Sequence, residues 1–337
     1  MKNLRISSIR QHKGRFIGIL ALLTVCAGVL SLCIGSVWVP PGEIFAALSG
    51  NNGSAAARIF LYARLPRTCG CLMAGMALAV SGAVIQGVLA NPLAAPNIIG
   101  VNSGAGLMVA LSCALMPHSA AALPLMAFLG ALAGVLLVLS LAERTGAARI
   151  TLVLAGVAVS SMFSAGIDAV ITFVPDALNG YSDFRIGGLD NLSMDRLWPA
   201  MCILFPALAG CMLLSSEMDV LLLGTDTARS LGLNAGRTRL ILLTLAAALA
   251  GGAVSFCGLL GFVGLIVPHI MRRLVGEESR VLLAACALGG AMFLTICDVL
   301  ARTVVAPYEL SVGIVLSLLG GPFFIWLLLR QRGGRGA

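Results

Sequence analysis

The chain has 337 residues, of which 59% are hydrophobic and only 11% are charged. Soluble domains carry about 45–50% apolar and about 25% charged residues, so this composition excludes an ordinary soluble protein and indicates that most of the chain lies in a bilayer. The formal net charge of +8 is interpreted as a topological signal rather than as a nucleic-acid-binding one, because Lys and Arg concentrate on the cytoplasmic side of membrane proteins.

Ten apolar segments approach the length of about 20 residues that a spanning helix needs. The first follows a basic leader, 1–15; its apolar run exceeds the about 7–15 residues of a signal peptide, and no cleavage site follows it. We therefore predict an all-α polytopic membrane protein with ten transmembrane helices and both termini in the cytoplasm. The predicted spans are 16–37, 68–90, 97–116, 121–142, 150–173, 197–215, 238–258, 261–274, 279–302 and 311–329.

The distribution of basic residues supports this topology. Ten crossings place 16 of the 22 Lys and Arg residues on the cytoplasmic side, and losing one span would invert everything downstream of it and spoil this bias. The six basic residues left outside are Arg58, Arg64, Arg67, Arg185, Arg196 and Arg302.

Two stretches interrupt the helical pattern. Segment 261–274 is short and contains Pro268, and segment 91–97 contains two prolines, which remove backbone donors and restrict their predecessors. Such backbone is tolerated at membrane depth where protein or a cavity covers it. Residues 77–84 also resemble 248–254, which indicates an inverted repeat with a transport path between its halves.

Small residues recur at four-residue spacing, as in Gly100 with Gly104 and Gly130 with Gly134. This spacing predicts that helix backbones approach one another closely.

A hydrophilic segment, Glu217 to Arg239, lies between two apolar spans and contains Gly224, Ala228, Leu231 and Gly232. We predict about two turns of amphipathic helix there, and a protein this apolar has little reason to carry them unless a cytoplasmic partner docks on them. If that partner is an ATPase, the chain is the membrane half of a pump.

The chain itself lacks the residues of nucleotide and metal chemistry. Its only lysines, Lys2 and Lys13, lie in the leader, so it has no Walker A loop, which ends in Lys followed by Ser or Thr. The ten cysteines fall almost entirely in apolar runs without a CxxC pair and are interpreted as buried free thiols. We predict no catalytic residues, no metal site and no cofactor bound by this chain.

Two carboxylates, Asp168 and Asp298, fall within predicted spans, where each costs about 2.5–3.5 kcal/mol on insertion scales. For Asp168 two interpretations stay open: it lines a water-filled path, or it makes a hydrogen bond between packed helices. For Asp298 we favour packing, because Arg302 is one helical turn away and can pair with it.

Several motifs carry a resemblance to a known family. They are RLPR at 64–67, GMALAVSGAVIQGVLANPLAAPNIIGVNSGAG at 75–106, LLLGTDTARSLGL at 221–233, GFVGLIVPHIMRRLVG at 261–276 and ELSVGIVLSLLGGPFFIWLLL at 309–329. In this order, and over nearly the whole chain, they resemble the FecCD-type permeases. These are the membrane subunits of ATP-driven importers for iron–siderophores, haem and cobalamin, with the type II importer architecture.

The resemblance implies a single permease domain, 1–337, with the cytoplasmic leader 1–15, a coupling region at 217–237 and a cytoplasmic tail at 330–337. It implies a second permease subunit, identical or related, two ATPase subunits that hold ATP and Mg²⁺, and a periplasmic or lipoprotein solute-binding protein. By residue, it implies binding-protein docking at Arg64, Arg67 and Arg302, a cytoplasmic gate at Asn91 and Leu93, and ATPase coupling at Leu221, Gly224, Ala228, Leu231 and Gly232.

One position departs from the family pattern. Many relatives carry a tryptophan shortly before a small-residue pair, whereas this chain has Arg185 before Gly187 and Gly188. This position is expected in the outer vestibule, where an arginine would favour an anionic chelate.

Our leading hypothesis is a permease of the bacterial inner membrane that imports an iron–siderophore. The alternatives are a cobalamin or haem importer, an ion-coupled secondary carrier that uses Asp168 and Asp298, and an intramembrane enzyme, for which the chain offers no convincing nucleophile, base or metal set.

Overall fold

The structure, a computed structural model, describes residues 13–35, 40, 42, 44, 47, 49, 54–117, 119, 122–144, 149–190 and 192–332. Most of the predicted leader 1–15 and the end of the tail, 333–337, lie outside these residues. Within the described part of the chain every regular element is helical and there is no strand, so the all-α prediction is confirmed.

The described residues include thirteen helices and one 3₁₀ turn. The helices are α1 Lys13–Cys33, α2 Ala55–Leu89, α3 Val101–Leu115, α4 Ala122–Arg144, α5 Arg149–Phe173, α6 Ala177–Ile186, α7 Met194–Leu213, α8 Ser215–Leu222, α9 Thr225–Ser230, α10 Ala235–Cys257, α11 Val263–Val275, α12 Ser279–Thr303 and α13 Val312–Arg332, and the 3₁₀ turn is Pro96–Ile99.

Each of the ten predicted spans overlaps one of these helices. Among the described residues, seven helices are long and apolar enough to cross a membrane by length and composition, namely α1, α2, α4, α5, α7, α10 and α12. The other three, α3, α11 and α13, fall outside that count. The polytopic membrane fold is therefore established, whereas the number ten and the cytoplasmic termini stay predictions.

The second span is longer than we predicted. We began it at 68, because two arginines and Pro66 looked like a boundary, but α2 is helical from Ala55 onward. Residues Phe60–Arg64 form a π-turn immediately before Pro66. A proline clashes with the carbonyl four residues earlier in a regular α-helix, and the wider turn accommodates the ring, so the helix passes through the proline.

Helix α2 forms the centre of the molecule. It is almost entirely buried and packs against α1, α10, α11 and α12, with α12 as its most extensive neighbour. Helices α5 and α13, which make no extensive contact with α2, expose much of their length. A buried central helix surrounded by loosely packed outer helices is the frame on which the site is built.

The predicted small-residue contacts are present. A Cβ built on Gly104 would overlap the carbonyl oxygen of Gly130, and one on Gly134 would overlap that of Gly100, so α3 and α4 meet backbone to backbone. The two segments that echo each other in sequence also lie on neighbouring helices, α2 and α10, and the Ser81 hydroxyl donates to the Ala246 carbonyl at 2.7 Å. The inverted repeat itself stays a prediction.

Candidate functional site: a polar groove, an ion network and a cytoplasmic helical turn

Helix α5 carries a stripe of polar side chains on an exposed face. Ser161, Ser164 and Asp168 follow one another at spacings of three and four residues, which places them on one side of a helix, and all three are exposed. A carboxylate on a spanning helix costs too much to face lipid and is normally directed to a cavity or a partner. The stripe therefore indicates a surface that meets water or another subunit.

The stripe lines a groove of about 590 Å³. We call this the polar groove and define it by Asn97, Ser160, Ser161, Ser164 and Asp168, which line it together with apolar neighbours. Asn97 belongs to the 3₁₀ turn that follows the proline-rich break. The groove thus connects the interrupted backbone after α2 with the outer part of α5, and its lining offers hydroxyl, amide and carboxylate groups.

Asp168 and Arg185 both influence the hydroxyl of Tyr181 on α6. Burial raises the pKa of Tyr181 on α6, the charge of Arg185 lowers it and the charge of Asp168 raises it. Arg185 is exposed on α6, so an exposed guanidinium and an exposed carboxylate both lie near Tyr181. The structure thus brings together two residues that the sequence analysis singled out separately.

A cluster of charges lies between the first half of α2 and the C-terminal end of α12, on the side that the predicted topology places outside. Arg67 Nε donates to Asp298 Oδ1 at 3.0 Å, Arg67 Nη1 to Glu309 Oε2 at 2.6 Å, and Arg67 Nη2 lies 2.9 Å from Asp190 Oδ1. Arg302 Nε lies 3.0 Å from Asp298 Oδ2. We call Arg67, Arg302, Asp190, Asp298 and Glu309 the ion network; in it Asp298, which is fully buried, bridges both arginines.

The three arginines expected at a docking surface are all buried. Arg67 and Arg302 are directed to carboxylates of this chain, Arg302 also donates to Ser31 Oγ at 2.8 Å, and Arg64 donates to the carbonyl of Ile34. The distribution of basic residues predicted that these arginines lie on the outer side, but it did not predict whether their side chains are buried. An exposed cationic surface formed by these side chains is therefore not what the structure shows, and their docking role stays a prediction.

Sequence reasoning missed two members of the ion network, Asp190 and Glu309. Both lie in loops, Asp190 before α7 and Glu309 before α13. Burial raises the pKa of Asp190, and Arg67 opposes that rise. Charge balance could have identified both residues. Arg67 and Arg302 together carry one positive charge more than Asp298 neutralises, and acidic residues in the loops predicted to lie outside can neutralise it.

The predicted gate residues Asn91 and Leu93 lie in the turn that ends α2. Ala90 adopts a left-handed conformation, with φ of 45°, and stops the helix. The side-chain oxygen of Asn91 then accepts the backbone N–H of Leu93 at 3.0 Å, which folds the segment back on itself. Leu93 lines a second cavity, of about 320 Å³, together with Pro96, Phe262 and other apolar groups.

The segment that contains the predicted coupling residues forms two short helices, α8 and α9, rather than one amphipathic helix of about two turns. Leu221 lies in α8 and Ala228 in α9, and the other three residues lie outside both helices. Gly224, with φ of 107°, separates the two helices, and Gly232, with φ of 83°, follows the second. Most L residues avoid positive φ, which explains why glycines interrupt the segment.

Burial divides the predicted coupling residues into two groups. Leu221 and Ala228 are buried against the rest of the chain, and the coupling role of all five residues stays a prediction. Leu231 is 63% exposed, and so is Leu223, which we had not singled out. Exposed leucines on either side of α9 are consistent with an apolar contact surface.

Within the described part of the chain, no group of three or more His, Cys, Asp or Glu side chains is placed to hold a metal ion. The chemistry that this arrangement offers is hydrogen bonding and charge along the polar groove.

Comparison with known proteins agrees with this geometry. The model of the FecCD transport family matches residues 22–330. The chain is 38% identical to the hemin transport system permease protein HmuU of Yersinia pestis, with 93% of each chain covered. It is 36% identical to the vitamin B12 import system permease protein BtuC of Klebsiella pneumoniae, with 98% of each chain covered.

A solved structure shares the fold. It is described as an inward-facing conformation of a metal-chelate type ABC transporter, is 28% identical, superposes with a TM-score of 0.82, and covers 94% of this chain and 99% of its own. With a family match over most of the chain and two relatives above 30% identity, this protein belongs to the FecCD transport family.

Proposed function

We propose that this chain is the membrane-spanning permease subunit of an ATP-driven importer, and that its cargo is an iron–siderophore complex. The observation that carries this proposal is the exposed stripe Ser161, Ser164 and Asp168 on a helix apolar enough to span a membrane. Lipid cannot satisfy these groups, whereas a polar chelate and its water can. Family membership and the names of the relatives support the same class of function.

In this proposal the chain crosses the bacterial inner membrane ten times and both termini are cytoplasmic. Support comes from the helix that overlaps each predicted span and from the excess of Lys and Arg that this topology places on the cytoplasmic side. Two permease subunits, identical or related, face each other across the cargo path. Helix α5 supplies the polar wall of that path, because among the helices that could span it is one of the most exposed.

Energy enters from outside the chain. Two ATPase subunits, which hold ATP and Mg²⁺, dock on the coupling region 217–237 through exposed leucines such as Leu223 and Leu231. Closure of these subunits on ATP moves α8 and α9, and the turn that contains Asn91 and Leu93 opens or closes the inner end of the path. No bond of the cargo is broken, so the chain acts as a transport component and not as an enzyme.

A solute-binding protein delivers the cargo at the outer end. Arg64, Arg67 and Arg302 lie under the outer surface, and Arg67 is held by Asp190 and Glu309, which are themselves partly exposed. We propose that carboxylates of the binding protein compete with these two residues for Arg67. Charge-assisted contacts of a guanidinium provide register as well as attraction.

The cargo alternatives are haem and cobalamin, which relatives of similar identity carry in their names. The polar groove and the outward Arg185 favour a polar, anionic chelate over a flat apolar ring. The ion-coupled carrier is disfavoured, because one of its two required carboxylates, Asp298, is buried between two arginines and is not available for an ion.

The test is reconstitution in vesicles with the partner ATPase and the binding protein encoded beside this chain. We expect uptake of a ferric siderophore that requires ATP and the binding protein together. Uptake of haem or cobalamin instead would change the cargo but keep the class. Accumulation by this chain alone, driven by a proton or sodium gradient without nucleotide, would overturn the proposal.

A further inference from the structure

Helix α8 is attached to the helix that carries the gate. It follows α7 directly and packs against α2 and α12. Its buried residue Met218 is 1% exposed, although the helix lies at the edge of the bundle. The coupling region therefore begins with a helix that is anchored in the core rather than suspended in solvent.

The Met218 side chain ends on Gly87, in the last turn of α2. A Cβ built on Gly87 would overlap the terminal Cε methyl of Met218 and would lie 3.6 Å from its sulfur. A larger residue at this position would push the Met218 methyl group away from the α2 backbone. The methyl group thus sits directly on the backbone of α2.

The gate turn depends on this same turn of α2. The backbone N–H of Ala90 donates to the Gly87 carbonyl at 3.0 Å, and that of Asn91 donates to the Gln86 carbonyl at 3.1 Å. Residues 86 and 87 are therefore the last helical support of Asn91 and Leu93. A displacement of Gly87 by Met218 reaches the gate within one helical turn.

The same turn of α2 is also held by α11. Gln86 Nε2 donates to the Gly264 carbonyl at 3.2 Å, and Arg272 Nη1 donates to Gln86 Oε1 at 3.0 Å. The last turn of α2 is thus attached to α11 through Gln86 and to α8 through the contact of Met218 with Gly87. Movement of α8 relative to α11 would therefore act on this turn.

A second contact links α8 to the partner helix of α2. Asp219 Oδ1 accepts the backbone N–H of Ser279, the first residue of α12, at 2.9 Å, which is a favourable place for a carboxylate. Because α12 is the most extensive neighbour of α2, neighbouring residues Met218 and Asp219 hold both members of the central helix pair.

We propose that Met218 is the positioning residue through which movement of the coupling region reaches the cytoplasmic gate, with Gly87 as its seat. This inference rests on the proposed function, since it assigns the internal route for force that the ATPase subunits apply. Met218 acts through α2 and does not touch the cargo.

The test uses the complete transporter in vesicles and measures cargo imported per ATP hydrolysed. In Met218→Ala the contact is removed, and we expect this ratio to fall about tenfold, within the usual range of coupling between sites, while ATP hydrolysis continues. Met218→Leu retains an apolar contact and should lose less. In the double variant Gly87→Ala with Met218→Ala, the added methyl fills part of the gap, so the ratio should exceed that of Met218→Ala alone.

A second readout separates coupling from folding. Ala95 lines the same cavity as Leu93. In Ala95→Cys, the rate at which a thiol reagent labels the new cysteine therefore measures how open the gate is. The labelling rate of the same protein without this cysteine is subtracted. We expect nucleotide to change that rate in the parent and not in Met218→Ala. The matched controls Met116→Ala, at the outer end of α3, and Gly18→Ala, in open space on α1, should retain both the ratio and the nucleotide response.

The outcomes distinguish the two proposals. Absence of ATP-dependent uptake in the parent transporter overturns the proposed function, and this inference with it. Normal uptake in the parent, together with an unchanged ratio and an unchanged labelling response in Met218→Ala, overturns the inference alone. If Met218→Ala does not assemble, Met218→Leu and the double variant decide, and equal ratios in these two and the parent count against the contact.

Discussion

At the scale of single residues, Asp298 is the carboxylate on which the ion network depends. It is fully buried, and both of its oxygens lie about 3 Å from an arginine nitrogen. Burying an ion is expensive, and only good geometry with additional hydrogen bonds compensates that cost. Two guanidinium groups that contact one carboxylate meet that condition. Removing any one of the three charges is therefore expected to destabilise the fold, because it leaves the others buried with fewer partners.

We expect Asp298→Asn to destabilise the protein by about 3–5 kcal/mol, because it leaves two buried arginines with one fewer anion between them. Thermal unfolding of the detergent-solubilised protein measures this. The control is Asp176→Asn, an exposed carboxylate before α6, which should change stability by less than about 0.5 kcal/mol. Equal stability of the two variants would mean that the ion network contributes little to the fold.

At the scale of elements, two short helices replace the single amphipathic helix that the sequence led us to expect between α7 and α10. The reason is conformational. Gly224 has φ of 107° and ψ of 156°, a region that is essentially restricted to glycine. Nothing lies within 4 Å of a Cβ built there or on Gly232, so substitution at either glycine strains the backbone without any steric clash.

Because the constraint is backbone conformation, the ability of a residue to adopt positive φ should decide which substitutions are tolerated. We expect Gly224→Val and Gly232→Val to abolish the stimulation of ATP hydrolysis by cargo-loaded binding protein, with membrane insertion unchanged. Gly232→Asn should retain most of the stimulation, because asparagine is enriched at positive φ. If both valine variants retain the stimulation of ATP hydrolysis, the turns at Gly224 and Gly232 are not part of the coupling mechanism.

The second prediction at this scale concerns the exposed face of α5. If the polar groove is a water-filled path, Ser164→Cys should react with a small, water-soluble, membrane-impermeant thiol reagent. Leu136→Cys, on an exposed apolar face of α4, should face lipid and stay unreacted, because the reactive thiolate forms only where water can stabilise it. Both are compared with the unsubstituted protein. Equal protection of the two cysteines would place the stripe in a dry interface.

At the scale of the whole molecule, the proposed function makes the chain one part of an assembly, in which its outer and inner ends have different partners. The outer end presents carboxylates that hold Arg67, and the inner end presents exposed leucines. The proposed docking of a binding protein therefore has to compete with contacts that this chain already makes, which gives it a measurable consequence.

We expect Glu309→Gln to tighten binding of the solute-binding protein about tenfold, which is about 1.4 kcal/mol, because Arg67 Nη1 loses its ionic partner at 2.6 Å and becomes available to a carboxylate of the binding protein. Surface plasmon resonance on the reconstituted permease measures it. Glu277→Gln, an exposed carboxylate between α11 and α12, should leave the affinity unchanged. Unchanged or weaker binding in Glu309→Gln would contradict competition for Arg67.

Much of the fold follows from the sequence because the bilayer imposes a simple rule. A buried backbone with no water must satisfy its own hydrogen bonds, so long apolar segments become helices, and each of the ten predicted segments overlaps one. The turn after α2 and the interruption of the helical pattern between α7 and α10 were also readable, since prolines and glycines have local conformational effects that do not depend on distant residues. The motifs that resemble the family, a resemblance that the comparisons confirm, also occur along the chain in the family's order.

Tertiary structure alone decided which side chains are buried and which ones meet. Sequence placed Arg67 and Arg302 on the outer side, but their depth depends on Asp190, Asp298 and Glu309, which lie far from Arg67 in the chain. The seat of Met218 on Gly87 joins residues more than a hundred positions apart. Hydropathy and local propensity describe one segment at a time, whereas burial, ion pairing and contact between helices arise only when segments pack together.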